Sequence, residues 1–148
     1  MSAMDRRTLL QSIPAVALLG KIVAADPQEH KMASSPSTTV YELRIYHTYD
    51  GKLDDLLARF RDHTMTLFEK HGIKNIAYWT PTEEPLKGKT LVYIISHPSR
   101  EAATANWDAF RSDPEWVSVR DKSEANGKIV EKVDSTYMAM TDFSPKLV

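Results

Sequence analysis

A chain of 148 residues has room for one domain and a leader, and is long enough to bury a single hydrophobic core. Its 19 basic and 20 acidic residues are interspersed and leave a net charge of −1, which excludes the overall basic field that draws a protein to nucleic acid or anionic membrane. The absence of cysteine excludes disulfides, thiolate catalysis and Cys-ligated zinc, and is compatible with any compartment.

Residues 1–25 read as an export signal. Arg6 and Arg7 form a charged n-region, the apolar run from Ile13 to Ala25 is broken by Pro14, Gly20 and Lys21, and Val23-Ala24-Ala25 makes a small-residue exit. The order Asp5-Arg6-Arg7-Thr8-Leu9-Leu10-Gln11 resembles a twin-arginine signal, departing from it at Asp5 before the pair and at Leu9, where Phe is common. The run is too short and too interrupted for a spanning helix, so no stable membrane span is expected in the mature form. Cleavage after Ala25 predicts a periplasmic or secreted protein. The alternatives are an uncleaved anchor, or a dispensable amphipathic N-terminus on a cytoplasmic protein. Asp26 to Thr39, with Pro27, Pro36 and little apolar content, reads as a disordered tether in which His30 is solvated.

Val40 to Tyr49 has the content and alternation of a strand, with Tyr41, Leu43 and Ile45 on one side and Glu42, Arg44 and Tyr46 on the other. After Asp50 and Gly51 the period becomes helical. Leu53, Leu56, Leu57, Phe60, Thr64, Leu67 and Phe68 form an apolar stripe over about five turns, meant to lie on a sheet. Asp54 and Asp55 suit the positive end of that helix, Lys70 and His71 suit its negative end, and Gly72 is placed to end it in the left-handed conformation. Ile73 to Thr80 reads as a second strand, halted at Pro81, and Pro81 to Gly88 as a turn-rich loop. Lys89 to His97 is a nearly continuous apolar strand, as expected of a central strand covered on both faces. Ser99 is the expected N-cap of a second helix that buries Ala102, Ala103, Asn106, Trp107 and Phe110. Asp113-Pro114 restarts a short helix with Trp116, Val117 and Val119 inward, and Lys132 to Met140 is the last strand, before a tail expected over the sheet edge or a dimer partner.

In order, the runs Tyr41 to Tyr46 (YELRIY), Phe60 to Thr64 (FRDHT), Leu67 to Ile73 (LFEKHGI), Ala77 to Thr80 (AYWT), Asp113 to Trp116 (DPEW) and Thr141 to Pro145 (TDFSP) resemble the NIPSNAP domain family over roughly residues 40 to 147. The resemblance implies an α+β, ferredoxin-like βαββαβ domain over 40–148, a four-stranded antiparallel sheet with helices on one face, of the dimeric α/β-barrel type. It does not imply one activity, because the biochemistry of the family is poorly defined; eukaryotic relatives are linked to membrane trafficking and mitochondrial quality control. Independently of the resemblance, a sheet covered on one face only leaves a bare apolar face that invites a second subunit.

Three groups of side chains are candidates for chemistry. Glu42, Arg44 and Tyr46 are expected on the bare sheet face, lining the interior between two subunits. They form either a polar handle for a ligand, with Glu42 as base, or a plain interface ion pair, and the plain pairing is favoured. His63 falls on the apolar stripe of the first helix, where an imidazole is either a proton carrier or ligand, or more simply a hydrogen-bonded core residue. Tyr78, Trp79, Tyr93, Trp107 and Trp116 either wall an apolar ligand pocket or are ordinary core; of the adjacent Tyr78 and Trp79, one must face the helices and the other the barrel. His47, His63, His71 and His97 have no metal-ligand spacing, no nucleotide or nucleophile-elbow motif occurs, and no cofactor is expected. The expected function is binding, or metal-free transformation, of a small apolar or aromatic molecule in the cleft between the sheet and the first helix, with His63, Arg44, Glu42 and Tyr78 positioning it or moving protons. The competing expectation is a non-catalytic protein-interaction module. Whether the protein is an enzyme is not readable from these residues.

Overall fold

A computed structural model describes residues 38–145 and 147, all within one compact unit, Ser35–Val148. The export-signal reading of residues 1–25 and most of the expected tether fall outside the described residues.

Four strands, β1 (Val40–Thr48), β2 (Lys74–Trp79), β3 (Thr90–His97) and β4 (Val130–Met138), pair antiparallel in the order β2-β3-β1-β4. With helices between β1 and β2 and between β3 and β4, this is the ferredoxin-like βαββαβ arrangement. β1 and β3 are central, which accounts for the apolar density of β3.

The first helical segment is not one continuous α-helix. It runs as α1 (Leu53–Arg59), a π-helical turn (Phe60–Thr64) and α2 (Met65–Lys70). At the turn the Met65 N–H donates to the Phe60 carbonyl, and the Thr64 hydroxyl donates to the Arg59 carbonyl at 3.1 Å. Leu56, Phe60, Thr64, Leu67 and Phe68 are buried along it. The segment ends at Gly72, whose φ of +73° is the left-handed value that glycine adopts at little cost. α3 (Arg100–Ser112) starts at Ser99, whose Oγ accepts from the Ala102 N–H at 3.1 Å, and buries Ala103, Trp107 and Phe110. α4 (Pro114–Ser123) starts at Asp113, whose Oδ1 accepts from the Glu115 N–H at 2.8 Å, with Pro114 at the first helical position. Asp113 also takes His71 Nε2 at 2.6 Å and Lys70 Nζ at 2.8 Å, tying the end of α2 to the start of α4. Those two bonds and the Glu115 N–H hold its carboxyl well below the usual range.

The core lies between the sheet and the helices. Leu91, Tyr93 and Ile95 of β3 are buried against Phe60, Phe68, Trp107 and Phe110. The aromatic rings meet mostly edge to face, as with Phe60 and Tyr93 at 5.2 Å and Phe68 and Phe110 at 4.9 Å, while Tyr78 stacks on Tyr93 at 5.2 Å. The opposite sheet face carries Tyr41, Leu43 and Ile45 of β1, half-buried, beside Val92 and Ile94 of β3. The tail crosses to this face, where Tyr41, Ile94, Met138, Met140 and Leu147 line one recess.

Candidate functional site

β1 sends its two rows of side chains opposite to expectation. Glu42, Arg44 and Tyr46 face the helices, and the apolar row Tyr41, Leu43 and Ile45 faces away. The polar row tolerates this because α3 and β4 supply partners for its charge. Glu42, 1% exposed, accepts from Arg44 Nη1 at 2.6 Å, Ser135 Oγ at 2.6 Å, Trp107 Nε1 at 2.7 Å and His97 Nε2 at 3.4 Å. Burial by itself raises the Glu42 pKa, but the bonds from His97, Ser135 and Trp107 and the charge of Arg44 outweigh it and hold the group at about 2. A carboxylate so stabilised is a poor base at neutral pH. It is the hub of a buried network, and its ion pair with Arg44 lies within one strand rather than between subunits.

Arg44 spans this network. Its guanidinium lies 4.3 Å from the Trp107 ring centroid and 5.4 Å from that of Tyr46, and its Nη2 donates to the Tyr46 hydroxyl at 3.3 Å. Desolvation lowers the Arg44 pKa, but Tyr46, Tyr93 and Glu42 more than offset this, so it stays charged. The Arg44 Nε and the Tyr93 hydroxyl are buried without a hydrogen-bond partner. Desolvation also pushes the Tyr93 and Tyr78 hydroxyls up, so both are neutral donors.

Beside this network a cleft of about 190 Å³ opens between the sheet and the helices. Tyr46, Val130 and Val133 line it from the sheet, Phe60, Thr64 and Phe68 from the first helical segment, and Phe110, Trp116, Arg59, Arg120 and Glu124 from the remaining helical layer and α1. Tyr93 lies behind it, in ring contact with Tyr46, Phe60 and Phe68.

The other expected residues fall elsewhere. His63 is exposed, on a surface groove of about 490 Å³ between α1 and α4, and not on the buried stripe. The π-helical turn explains the difference. Its wider turn advances each residue through a smaller angle, so Thr64 returns under the sheet while His63 swings outward. Tyr78 faces the helices, its hydroxyl donating to Asn75 Oδ1, and Trp79 lies on the opposite face, 51% exposed. The structure thus brings together Glu42, Arg44, Tyr46, Tyr93 and Tyr78, and leaves out His63 and Trp79. Sequence reasoning missed Ser135, Arg59 and Glu124. An arginine next to Phe60, on the edge of an apolar stripe, was the available signal for Arg59; nothing local marks Ser135. Among the described residues no group of three His, Asp or Glu side chains is arranged to hold a metal ion, and no helix is long and apolar enough to cross a membrane.

The fold is similar to that of several solved structures. An uncharacterised NIPSNAP-like domain protein from Burkholderia xenovorans superposes with a TM-score of 0.65 at 17% identity, over 76% of this chain and 93% of the other. A NIPSNAP family protein of unknown function from Agrobacterium tumefaciens gives 0.63 at 20% identity, over 76% and 96%. A monooxygenase from Streptomyces coelicolor, solved in complex with the ligand nanaomycin D, gives 0.52 at 14% identity, over 76% and 96%. No curated protein matches the chain. The NIPSNAP family model matches residues 41–145, from the first strand into the tail, and the chain belongs to the NIPSNAP family.

Proposed function

We propose that the protein binds a small apolar or aromatic molecule in the cleft between its sheet and its helices. The observation that carries this is the cleft itself, walled by Tyr46, Phe60, Phe68, Phe110 and Trp116. Its size is on the scale of the roughly 150 Å³ cavity that takes one benzene ring. A few polar groups among aromatic walls are the usual composition of a ligand site. The monooxygenase of similar fold, solved with the ligand nanaomycin D, supports the binding of a small molecule and leaves the reaction open.

The working form in this reading is a homodimer joined through the open sheet faces, exported to the periplasm or beyond by the leader, with residues 1–25 removed. The apolar row Tyr41, Leu43 and Ile45 and the exposed Trp79 support the pairing. The same apolar surface would serve a protein-interaction module with a different partner, which is the second reading.

A native mass spectrum of the protein purified from its own compartment tests these together. The expected result is a dimer that starts at Asp26 and carries a reproducible added mass. A dimer with nothing bound, and with no uptake of small aromatic probes, overturns ligand binding. A monomer overturns the sheet-to-sheet pairing, and an intact leader overturns cleavage.

A further inference from the structure

We infer that the ligand of the cleft carries a carboxylate, that Arg59 is the residue that receives it, and that Glu124 occupies its place in the empty protein. This rests on the cleft reading above and specifies the ligand class.

The Arg59 side chain is 4% exposed, yet its guanidinium is only partly used. Nη1 donates to Glu124 Oε1 at 3.1 Å and to Ser123 Oγ at 3.2 Å, while Nε is buried with no partner. A guanidinium edge is built to take a carboxylate with two parallel bonds, and here the pairing runs through one nitrogen only. Arg59 lines the cleft, and its guanidinium lies 5.4 Å from the ring centroid of Trp116, which lines the same wall. An aromatic acid placed there would set its ring among Tyr46, Phe60 and Trp116 and its carboxylate on Arg59.

Glu124 is the second observation. It caps the C-terminus of α4, where the helix dipole and the free carbonyls disfavour a carboxylate; Arg120 and Lys122 in the last turn follow the normal preference and Glu124 goes against it. Its side chain is 26% exposed, so it can turn to water when another anion takes Arg59. α4 itself buries no residue fully and is held to the core chiefly through half-buried Trp116, which lies on Phe110 at 4.5 Å. A displacement of Glu124 therefore disturbs little of the core.

The test compares benzoate with its neutral isostere benzamide by calorimetric titration of the full chain, in wild type, Glu124→Gln and Arg59→Gln. Benzoate is expected to bind about tenfold more tightly than benzamide. Glu124→Gln should tighten benzoate several-fold relative to benzamide, and Arg59→Gln should erase the preference. Equal affinity for the two probes, or a Glu124→Gln variant that binds benzoate no better, overturns the assignment while benzamide binding keeps the cleft reading intact. Failure of both probes to bind wild type and Glu124→Gln overturns the cleft reading and this inference with it. The Glu124→Gln arm decides the matter even where Arg59→Gln does not fold.

Discussion

Glu42 puts a full negative charge under the helical layer, and its stability contribution depends on pH with a definite sign. Its folded pKa of about 2 lies below the ordinary 4.5, so the stabilisation is present above pH 4.5 and is lost as pH falls towards 2. The shift corresponds to about 3 kcal/mol. Urea midpoints measured between pH 7 and pH 2 should therefore fall across that window in wild type. In Glu42→Gln they should start lower and vary less. A variant with the wild-type profile would show that other carboxylates set the acid sensitivity. His63 makes the opposite case. It is exposed and outside the cleft, so His63→Ala should change stability by less than about 0.5 kcal/mol and leave ligand affinity untouched. Loss of ligand binding in that variant would return the site to the groove between α1 and α4.

At the scale of elements, what could be read in advance was what depends on neighbouring residues. The caps at Ser99 and Asp113 and the stop at Gly72 are contacts over two or three residues, and each stands where its residue types place it. The π-helical turn is different. It shifts the hydrogen-bond register without a mark in composition, and one such shift carried His63 off the buried stripe. Gly72 also has a tertiary role, since its carbonyl accepts from Asn106 Nδ2 at 2.9 Å and a Cβ built on it would stand 3.2 Å from that nitrogen. Gly72→Ala should cost about 1 to 2 kcal/mol, because it adds this crowding to the strain of a positive φ. Gly88 has the same φ of +73° with open space around it, so Gly88→Ala isolates the backbone term. Thermal midpoints of the two variants should differ; equal losses would mean that Asn106 yields freely.

Across the whole molecule, alternation along β1 divides its side chains correctly into two rows but cannot say which row meets the helices. That choice was made by partners distant in sequence, Trp107 on α3 and Ser135 on β4, which satisfy Glu42 from the helical side. The consequence reaches assembly. With Glu42 and Arg44 turned inward, the open face carries the apolar row of β1 instead, and the exposed Leu147 of the tail adds to it. In the proposed dimer a second copy covers this face with the same surface. Ile94, half-buried at the middle of β3 on that face, is the position where a charge would be hardest to accommodate between two sheets. Sedimentation equilibrium at micromolar concentration should give a dimer for wild type and a folded monomer for Ile94→Glu. Arg44→Ala should remain a dimer although it loses stability, because Arg44 lies on the helical side. The reverse pattern, an intact dimer in Ile94→Glu and a dissociated one in Arg44→Ala, would place the interface on a different surface.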